Sequence, residues 1–237
     1  MDVMTGFIDH RILLNYRVDP KYLQAVLPAP LKPKLVDGYG IGGICQVSLS
    51  KMRPRGLPAM MGTKSHNAAH RIAVVHDGGE GVYVPRRDTD SRINQLSGGR
   101  IFPGLYEYSG FEVAVDGDDF AVEITDGDGE KIMGIEAQLA KEVTPGSVFK
   151  TLQEGSSFFE GGNIGWSPGS DEKELDTIEL WTNEWKMEAL HVKHESSSYF
   201  TNEEHFPQGS VEFDSGFIMR GLEHEWRAQE GLACVCS

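Results

Sequence analysis

The sequence consists mainly of short runs of alternating apolar and polar residues, separated by turns rich in glycine and aspartate. In residues 10–18, isoleucine, leucine, tyrosine and valine alternate with arginine and asparagine. Alternation with a period of two is typical of a β-strand with one buried face. Turns such as residues 116–118 and 126–129 recur along the chain. This pattern predicts a mainly β (α+β) fold, a closed or half-closed antiparallel sheet with a few short peripheral helices.

Length and composition indicate one domain. The chain has 237 residues, of which 39% are hydrophobic, and this is enough for a substantial core. We expect residues 1–237 to form this domain, with a disordered or loosely packed tail over residues 228–237. The formal charge of −14 argues against nucleic acid and anionic membranes as partners. Without an apolar run that would direct it to or across a membrane, we expect a cytoplasmic protein.

Residues 38–43 match the glycine spacing G-x-G-x-x-G of dinucleotide-binding proteins. In those proteins a helix follows the glycines, and its N-terminus faces the pyrophosphate. Here the residues that follow, including Ile44, Val47 and Leu49, have the alternation of a strand. The glycines therefore indicate a turn and a close contact between strands rather than a nucleotide site.

Residues 81–100 concentrate arginine in a chain that has few cations. The segment begins as a strand, and Pro85 is predicted to end regular pairing because proline has no N–H for a ladder. Asp88 is predicted as the N-cap of a short helix that reaches Leu96 and stops at the glycines of positions 98 and 99. A strand-to-helix junction would thus carry four arginines and two aspartates.

Two interpretations of this junction stay open. Asp88, Asp90, Arg87 and Arg92 could form surface ion pairs between residues four apart on a helix, each contributing only ~0.3–0.5 kcal/mol. Alternatively, one or two of the arginines point inward and bind an anion with the planar guanidinium group. The local sequence does not decide between these interpretations.

Other residue clusters give weaker signals. His66 and His70 would share one face of a strand, but no third metal ligand is indicated, so we expect no metal. No motif of a serine hydrolase, a P-loop or a zinc protease is present. His224 and Glu225 would act as acid or base if they are buried.

Several longer segments resemble an uncharacterised bacterial family within the acetoacetate decarboxylase-like superfamily. They are HRILLNYRVDPKYLQAVLPAPLKPKLVDGYGIGGICQVSL, RPRGLP, NAAHRIAV, GNIGWSP and SVEFDSGFIMRGLEHEW. The resemblance runs from about residue 10 to residue 226. It implies a closed or cone-shaped antiparallel β-barrel around a small-molecule pocket, which agrees with the strand pattern.

The decarboxylase of this superfamily uses a lysine of a Pro-Lys-Lys run as its Schiff-base nucleophile. The run Val84-Pro85-Arg86-Arg87 resembles the equivalent segment, with arginine in place of both lysines. A guanidinium group does not act as an amine nucleophile at neutral pH. The resemblance therefore implies chemistry without a Schiff base at this position. Lys51 and Lys64 are other lysines that could reach a pocket, although neither has a recognisable activating neighbour.

These observations predict a small-molecule enzyme that acts on a carbonyl or carboxylate compound by anion recognition and acid–base chemistry. The predicted catalytic residues are Arg86, which would hold the anion, with His70 and His224, which would move protons. The predicted substrate-binding residues are Arg53, Tyr83, Arg87, Asp88 and Arg92. We expect no cofactor, an anionic or carbonyl-containing ligand, and an ability to form homo-oligomers. The alternatives are a non-catalytic barrel that binds a small ligand, and a structural barrel filled by its own side chains.

Overall fold

The structure, a computed structural model, describes residues 3–97, 104–171 and 173–234. Within these ranges the chain forms three short helices, a 3-10 turn at Ala59–Met61 and fourteen strands. The helices are α1 (Pro20–Val26), α2 (Arg92–Ser97) and α3 (Leu152–Glu160). The strands are β1 (Val3–Val18), β2 (Lys32–Pro33), β3 (Leu35–Val36), β4 (Tyr39–Pro54), β5 (Thr63–His76), β6 (Gly79–Thr89), β7 (Glu107–Tyr108), β8 (Gly110–Asp116), β9 (Asp119–Thr125), β10 (Lys131–Ala140), β11 (Ile164–Pro168), β12 (Glu174–Thr182), β13 (Glu188–Ser197) and β14 (Val211–Ala233). The predicted mainly β fold is confirmed. No helix in the described ranges has the length and apolar character needed to cross a bilayer.

The strands form one sheet that closes on itself. β1 pairs with β4, and the path continues through β5, β6, β11, β12 and β14 back to β1. Every pair on this seven-strand path is antiparallel except β6–β11, which is parallel. A second branch leaves β14 through β13, β10, β9 and β8. This second branch can therefore fold over one side of the closed path.

The long strand β14 joins these two branches. Its first half pairs with β13, where Ile218 faces Glu188, and its second half pairs with β12, where His224 faces Thr182. The pairing with β12 extends to Ala233 opposite Glu174. The prediction of a loose tail is therefore wrong for residues 228–233, and residues 235–237 lie outside the described part.

Two apolar clusters lie on opposite sides of the strands of the closed path. We call one side the strand-covered face; it contains Ile12, Leu14 and Ile72, which pack with residues of β9 and β10. We call the other side the helix-covered face; it contains Leu13 and packs with residues of α3. Neighbouring residues of β1 thus belong to different clusters, because successive side chains of a strand point to opposite sides. Both sides of β1 are buried, although the alternation predicted only one buried side.

The glycines of residues 38–43 enter β4 rather than a helix, as predicted. A Cβ atom on Gly42 would lie 2.5 Å from the ring of Phe200, and one on Gly43 would lie 2.1 Å from the carbonyl oxygen of Leu14. These two glycines permit the close approach of other chain segments to β4.

The predicted strand-to-helix junction at Pro85 is wrong. β6 continues through Pro85 to Thr89, and Asp88 lies in the strand instead of capping a helix. The ladder between β5 and β6 has an irregularity in register at this point, which lets the strand accommodate a residue without an N–H. α2 begins only at Arg92, after the Oγ of Ser91 accepts a hydrogen bond from the N–H of Asn94. The glycines predicted to stop it, at positions 98 and 99, lie outside the described residues.

Candidate functional site

Four of the predicted site residues lie together on the strand-covered face. In the antiparallel pair β5–β6, His70 lies opposite Arg86, and Ile72 lies opposite Tyr83. Residues that face each other across such a pair point to the same side of the sheet. Asp88 accepts hydrogen bonds from the Nε and Nη2 atoms of Arg86. His70, Tyr83, Arg86 and Asp88 therefore form one group.

The positive charge in this group is already compensated. Arg86 Nη2 lies 3.0 Å from Asp88 Oδ1 and 3.2 Å from Glu107 Oε2. The Asp88 side chain is fully buried and also accepts a hydrogen bond of 2.8 Å from Ser109 Oγ. A guanidinium group with two carboxylate partners has little remaining attraction for an added anion. The group has the contacts of a structural ion pair.

His70 is held as a neutral imidazole. Its side chain is fully buried, and its Nε2 lies 3.0 Å from Ser197 Oγ. Burial and, to a lesser extent, the charge of Arg86 lower the pKa of His70 to about 3. The ring centroid lies 5.2 Å from that of Tyr199. An imidazole of this kind is a weak base at neutral pH.

Arg53 and Arg92 are not part of this group. Arg53 donates hydrogen bonds to the backbone carbonyls of Lys51 and Leu57, at 2.7 and 2.8 Å, near the loop after β4. The guanidinium carbon of Arg92 lies 4.3 Å from the ring centroid of Tyr108. Both arginines therefore have local partners, and the structure does not bring them to the other predicted residues.

Arg87 points to the other side of the sheet. It lies opposite Ala69 of β5, whereas its neighbour Arg86 lies opposite His70. Its Nη2 donates to Ser167 Oγ at 3.3 Å, and its buried Nε has no hydrogen-bond partner. The two consecutive arginines of the sequence thus belong to different environments.

His224 lies on the helix-covered face, away from His70 and Arg86. It stands in β14 between Leu222 and Trp226, which belong to the apolar cluster of that face. Its side chain is buried, and neither ring nitrogen has a hydrogen-bond partner of good geometry. Burial and, to a lesser extent, the charge of Arg11 lower the pKa of His224 to about 4. The three predicted catalytic residues therefore do not converge.

Arg71 is a buried cation on the helix-covered face that the sequence interpretation missed. Its side chain is 2% exposed, and its guanidinium carbon lies 4.7 Å from the ring centroid of Phe159 in α3. Nη2 donates to Asn15 Oδ1 at 2.5 Å, while Nε and Nη1 have no partner among the described residues. Asn15 is itself fixed by hydrogen bonds of 3.2 Å to the backbone oxygen and the Oγ of Ser215. Burial lowers the pKa of Arg71 to about 10, so the guanidinium group keeps its charge at neutral pH.

Arg11 extends from β1 on the same side and is half-buried. Its hydrogen-bond partners are both sulfur atoms, Cys45 Sγ at 3.3 Å and Met219 Sδ at 3.9 Å. Its guanidinium carbon lies 5.9 Å from the ring centroid of Trp185. Sulfur is a weak acceptor, so these contacts leave much of the hydrogen-bonding capacity of Arg11 available.

We refer to Arg11, Asn15, Cys45, Arg71 and His224 as the arginine site. Within the described residues, neither guanidinium group of this site forms an ion pair with a carboxylate. Buried charges in proteins are ordinarily paired, because an isolated charge is poorly solvated in an apolar interior. The arrangement therefore leaves positive charge available for a small anion, with the neutral imidazole of His224 on the same face.

A weak sequence signal did exist for this site. Arg11 and Asn15 alternate with apolar residues and were interpreted as the polar face of an amphipathic strand. Arg71 lies in the run NAAHRIAV, where it is the single permanently charged residue among small and apolar ones. A lone arginine within such a run indicates a buried cation, which is a candidate for function.

Within the described residues no lysine belongs to the arginine site, although Nζ of Lys34 lies 4.2 Å from the ring centroid of Phe158 on the helix-covered face. The eleven lysines of the chain all lie in the described ranges, and ten of them are exposed, including Lys51 and Lys64. Lys34 is half-buried and forms an ion pair of 2.8 Å with Glu80. Among the residues that can be described, no three or more histidine, cysteine, aspartate or glutamate side chains are grouped to hold a metal ion.

The sequence matches the family DUF2071, described as an uncharacterized conserved protein, over residues 8–212. The chain belongs to this family. A comparison with curated proteins finds no match.

Solved structures confirm the acetoacetate decarboxylase-like fold. Acetoacetate decarboxylase from Legionella pneumophila has a TM-score of 0.68 and 11% identity, and the alignment covers 100% of this chain and 89% of that one. An acetoacetate decarboxylase-like enzyme from Sphingomonas wittichii has a TM-score of 0.64 and 16% identity, with 99% and 93% covered. The enduracididine biosynthesis enzyme MppR, in complex with pyruvate, has a TM-score of 0.64 and 7% identity, with 98% and 90% covered. At these identities the likeness establishes the fold alone.

Proposed function

We propose that this protein is a small-molecule enzyme that binds a carboxylate compound, such as a small oxo acid, at the arginine site. The observation that carries the proposal is the buried guanidinium group of Arg71, which has two free donors and no carboxylate partner among the described residues. Arg11 adds a second positive charge on the same side of the sheet. A bound carboxylate would supply the missing negative charge and accept the free N–H groups.

A small oxo acid is favoured over other anions for two reasons. The site combines cations with a neutral imidazole, which suits a substrate that has both a carboxylate and an acidic C–H next to a carbonyl. MppR, which shares the fold, is known in complex with pyruvate. Pyruvate is therefore the probe of choice.

The chemistry proposed here does not use a Schiff base. An imine requires an amine next to the carbonyl carbon of the substrate. The lysines of this chain are exposed or, in the case of Lys34, paired with Glu80. The work at the site would instead be anion stabilisation by Arg11 and Arg71, with proton transfer by His224.

The sequence-based hypothesis placed the anion at Arg86 instead. Its ion pairs with Asp88 and Glu107 argue against this assignment, since an added anion would compete with two carboxylates already in contact. Titration calorimetry with pyruvate separates the two assignments. We expect Arg71→Gln and Arg11→Gln each to weaken binding by about 10-fold or more, because each removes charged hydrogen-bond donors.

Two further variants complete this experiment. Arg86→Gln is expected to keep the wild-type affinity within about 2-fold, and Arg55→Gln, at a side chain that is 64% exposed, serves as a surface control. Circular dichroism verifies that each variant is folded. If Arg86→Gln lost binding while Arg71→Gln kept it, the anion would belong to the strand-covered face.

A non-catalytic ligand-binding protein is the second candidate function. The burial of His224 favours it, because an imidazole with a pKa of about 4 is a poor base at neutral pH. Exchange of the methyl protons of pyruvate in D₂O, followed by proton NMR, distinguishes the two functions. The enzyme hypothesis predicts exchange that His224→Gln abolishes; binding without exchange would leave a ligand-binding protein.

A further inference from the structure

Cys45 lies in the middle of β4, with Leu13 of β1 opposite it on one side and Ala69 of β5 on the other. Its two chain neighbours, Ile44 and Gln46, have no exposed surface, whereas Cys45 itself is half-buried. Solvent therefore reaches the helix-covered face of a central strand at this residue. The Cys45 thiol is free.

The sulfur atom of Cys45 lies next to two cationic side chains. Arg11 Nε donates a hydrogen bond to Cys45 Sγ at 3.3 Å. Arg71 is close enough for the electrostatic effect of Cys45 to oppose the lowering of its pKa by burial. The two guanidinium groups that would bind the carboxylate of a ligand therefore lie beside the sulfur atom.

A second feature indicates that this face accepts a ligand. In the part of the chain that the structure describes, Nε and Nη1 of Arg71 have no hydrogen-bond partner, although the residue is only 2% exposed. Among the described residues, neither ring nitrogen of His224 has a hydrogen-bond partner of good geometry, although the ring interacts with the backbone of Gly6, and this residue is 1% exposed. Buried polar groups without partners are rare in native proteins and are commonly completed by a ligand or by water. Arg11 contacts Cys45 directly and interacts electrostatically with both Arg71 and His224, so these groups belong to one part of the helix-covered face.

We propose that Cys45 is the nucleophile of the arginine site, and that its sulfur adds reversibly to the carbonyl carbon of a bound oxo acid to form a thiohemiketal. In this step the S–C bond forms, the C=O π bond opens, and the thiol proton ends on the former carbonyl oxygen. The addition needs no oxidant, reductant or further reactant. It rests on the proposed function, because the arginines must hold the carboxylate next to the thiol.

In this step the thiol would be the nucleophile, the role that a lysine has in a Schiff-base mechanism. A thiol binds a carbonyl carbon covalently without loss of water, so the adduct can dissociate again by the reverse step. Holding the carboxylate on Arg11 and Arg71 would orient the carbonyl group toward Cys45, and this proximity is the main advantage that a site of this kind provides.

Alkylation of the thiol tests whether Cys45 shares the anion site. The rates for iodoacetate and iodoacetamide are compared by mass spectrometry of the peptide that contains Cys45. We expect iodoacetate to react about 10-fold faster or more, because two guanidinium groups raise the local concentration of the anion. Arg71→Gln should reduce this preference, and Arg55→Gln should retain it. Equal rates for the two reagents would overturn the proposal.

Carbon-13 NMR of pyruvate labelled at the carbonyl carbon tests the covalent step. Wild type is expected to shift part of the signal from the ketone region to that of a tetrahedral carbon, and Cys45→Ser and Cys45→Ala are expected to abolish this signal. If calorimetry shows that pyruvate binds wild type while the tetrahedral signal is missing, Cys45 is not the nucleophile and the proposed function stands. If pyruvate does not bind wild type at all, both proposals fail.

Discussion

Arg86 and Arg71 are on neighbouring strands, but the two faces of the sheet give them opposite electrostatic environments. Arg86, on the strand-covered face, lies 3.0 Å from the buried carboxylate of Asp88 and 3.2 Å from Glu107. Arg71, on the helix-covered face, has an amide oxygen and an aromatic ring as neighbours, and two of its nitrogens are unpartnered. An arginine side chain therefore completes an ion pair on the strand-covered face, whereas on the helix-covered face its positive charge has no carboxylate partner among the described residues.

The contrast shows that the role of an arginine is better inferred from the groups its side chain contacts than from its place in a cluster of arginines along the sequence. A paired guanidinium group stabilises the fold only as long as both members are present. An unpaired, buried guanidinium group destabilises the fold, and proteins keep such groups where function requires them. Substitutions in the group around Arg86 should therefore change the free energy of unfolding strongly, and substitutions in the arginine site should change ligand binding.

The largest expected change in stability comes from breaking the ion pair on the strand-covered face. Asp88→Asn removes the buried negative charge that Arg86 and Ser109 contact, and should lower the free energy of unfolding by about 2–4 kcal/mol. Glu107→Gln, at a side chain that is 65% exposed, is the matched control and should change it by less than about 0.5 kcal/mol. Urea denaturation measures both. Equal effects of the two substitutions would show that Asp88 is not the structural partner.

The next effect is a loss of stability in acid that originates at His70. Its pKa is lowered to about 3 by burial and by Arg86, whereas an unfolded histidine has a pKa of about 6.5. Below pH 6.5 the unfolded chain binds a proton that the folded protein does not, so stability decreases as the pH falls toward 3. At pH 5 this amounts to about 2 kcal/mol for the one residue.

Urea denaturation at pH 7 and pH 5 provides the test. His70→Asn should lose less stability between the two pH values than wild type, because Asn has no proton to gain. His191→Asn, at an exposed histidine, is the control and should behave like wild type. If His70→Asn had the same acid sensitivity as wild type, the low pKa of His70 would be refuted.

Much of the fold was predictable because it depends on local patterns. The alternation in β1, the strand after residues 38–43 and the start of α1 all follow from short-range rules. In α1, Asp19 Oδ1 accepts a hydrogen bond of 3.0 Å from the N–H of Lys21, and Pro20 occupies the first position, as the sequence predicts.

The site was not predictable, because it depends on which sides of the sheet are covered. Alternation indicates two sides of a strand but does not show that both are buried, so Arg11 and Asn15 resembled a solvent-exposed row. The irregular register near Pro85 also determines which of the consecutive residues Arg86 and Arg87 points to the strand-covered face. Both facts come from contacts between residues far apart in the chain.

The smallest expected change in stability is also the most direct test of the difference between the faces. Arg71→Met removes a buried charge without leaving a carboxylate unpaired, and the methionine can fill much of the same space against Phe159. Loss of the hydrogen bond to Asn15 opposes this gain, so the free energy of unfolding should change by less than about 1 kcal/mol or increase. Urea denaturation without ligand measures it.

Arg71→Met should also show that Arg71 matters for ligand binding and little for the stability of the free protein. Pyruvate at 100 times its dissociation constant would stabilise wild type by about 2.7 kcal/mol and should leave Arg71→Met unchanged. Asp88→Asn provides the opposite case, since it loses stability but should still be stabilised by pyruvate. A loss of about 3 kcal/mol or more in Arg71→Met would mean that Arg71 holds the structure together as Asp88 does, and the two faces would then no longer differ in kind.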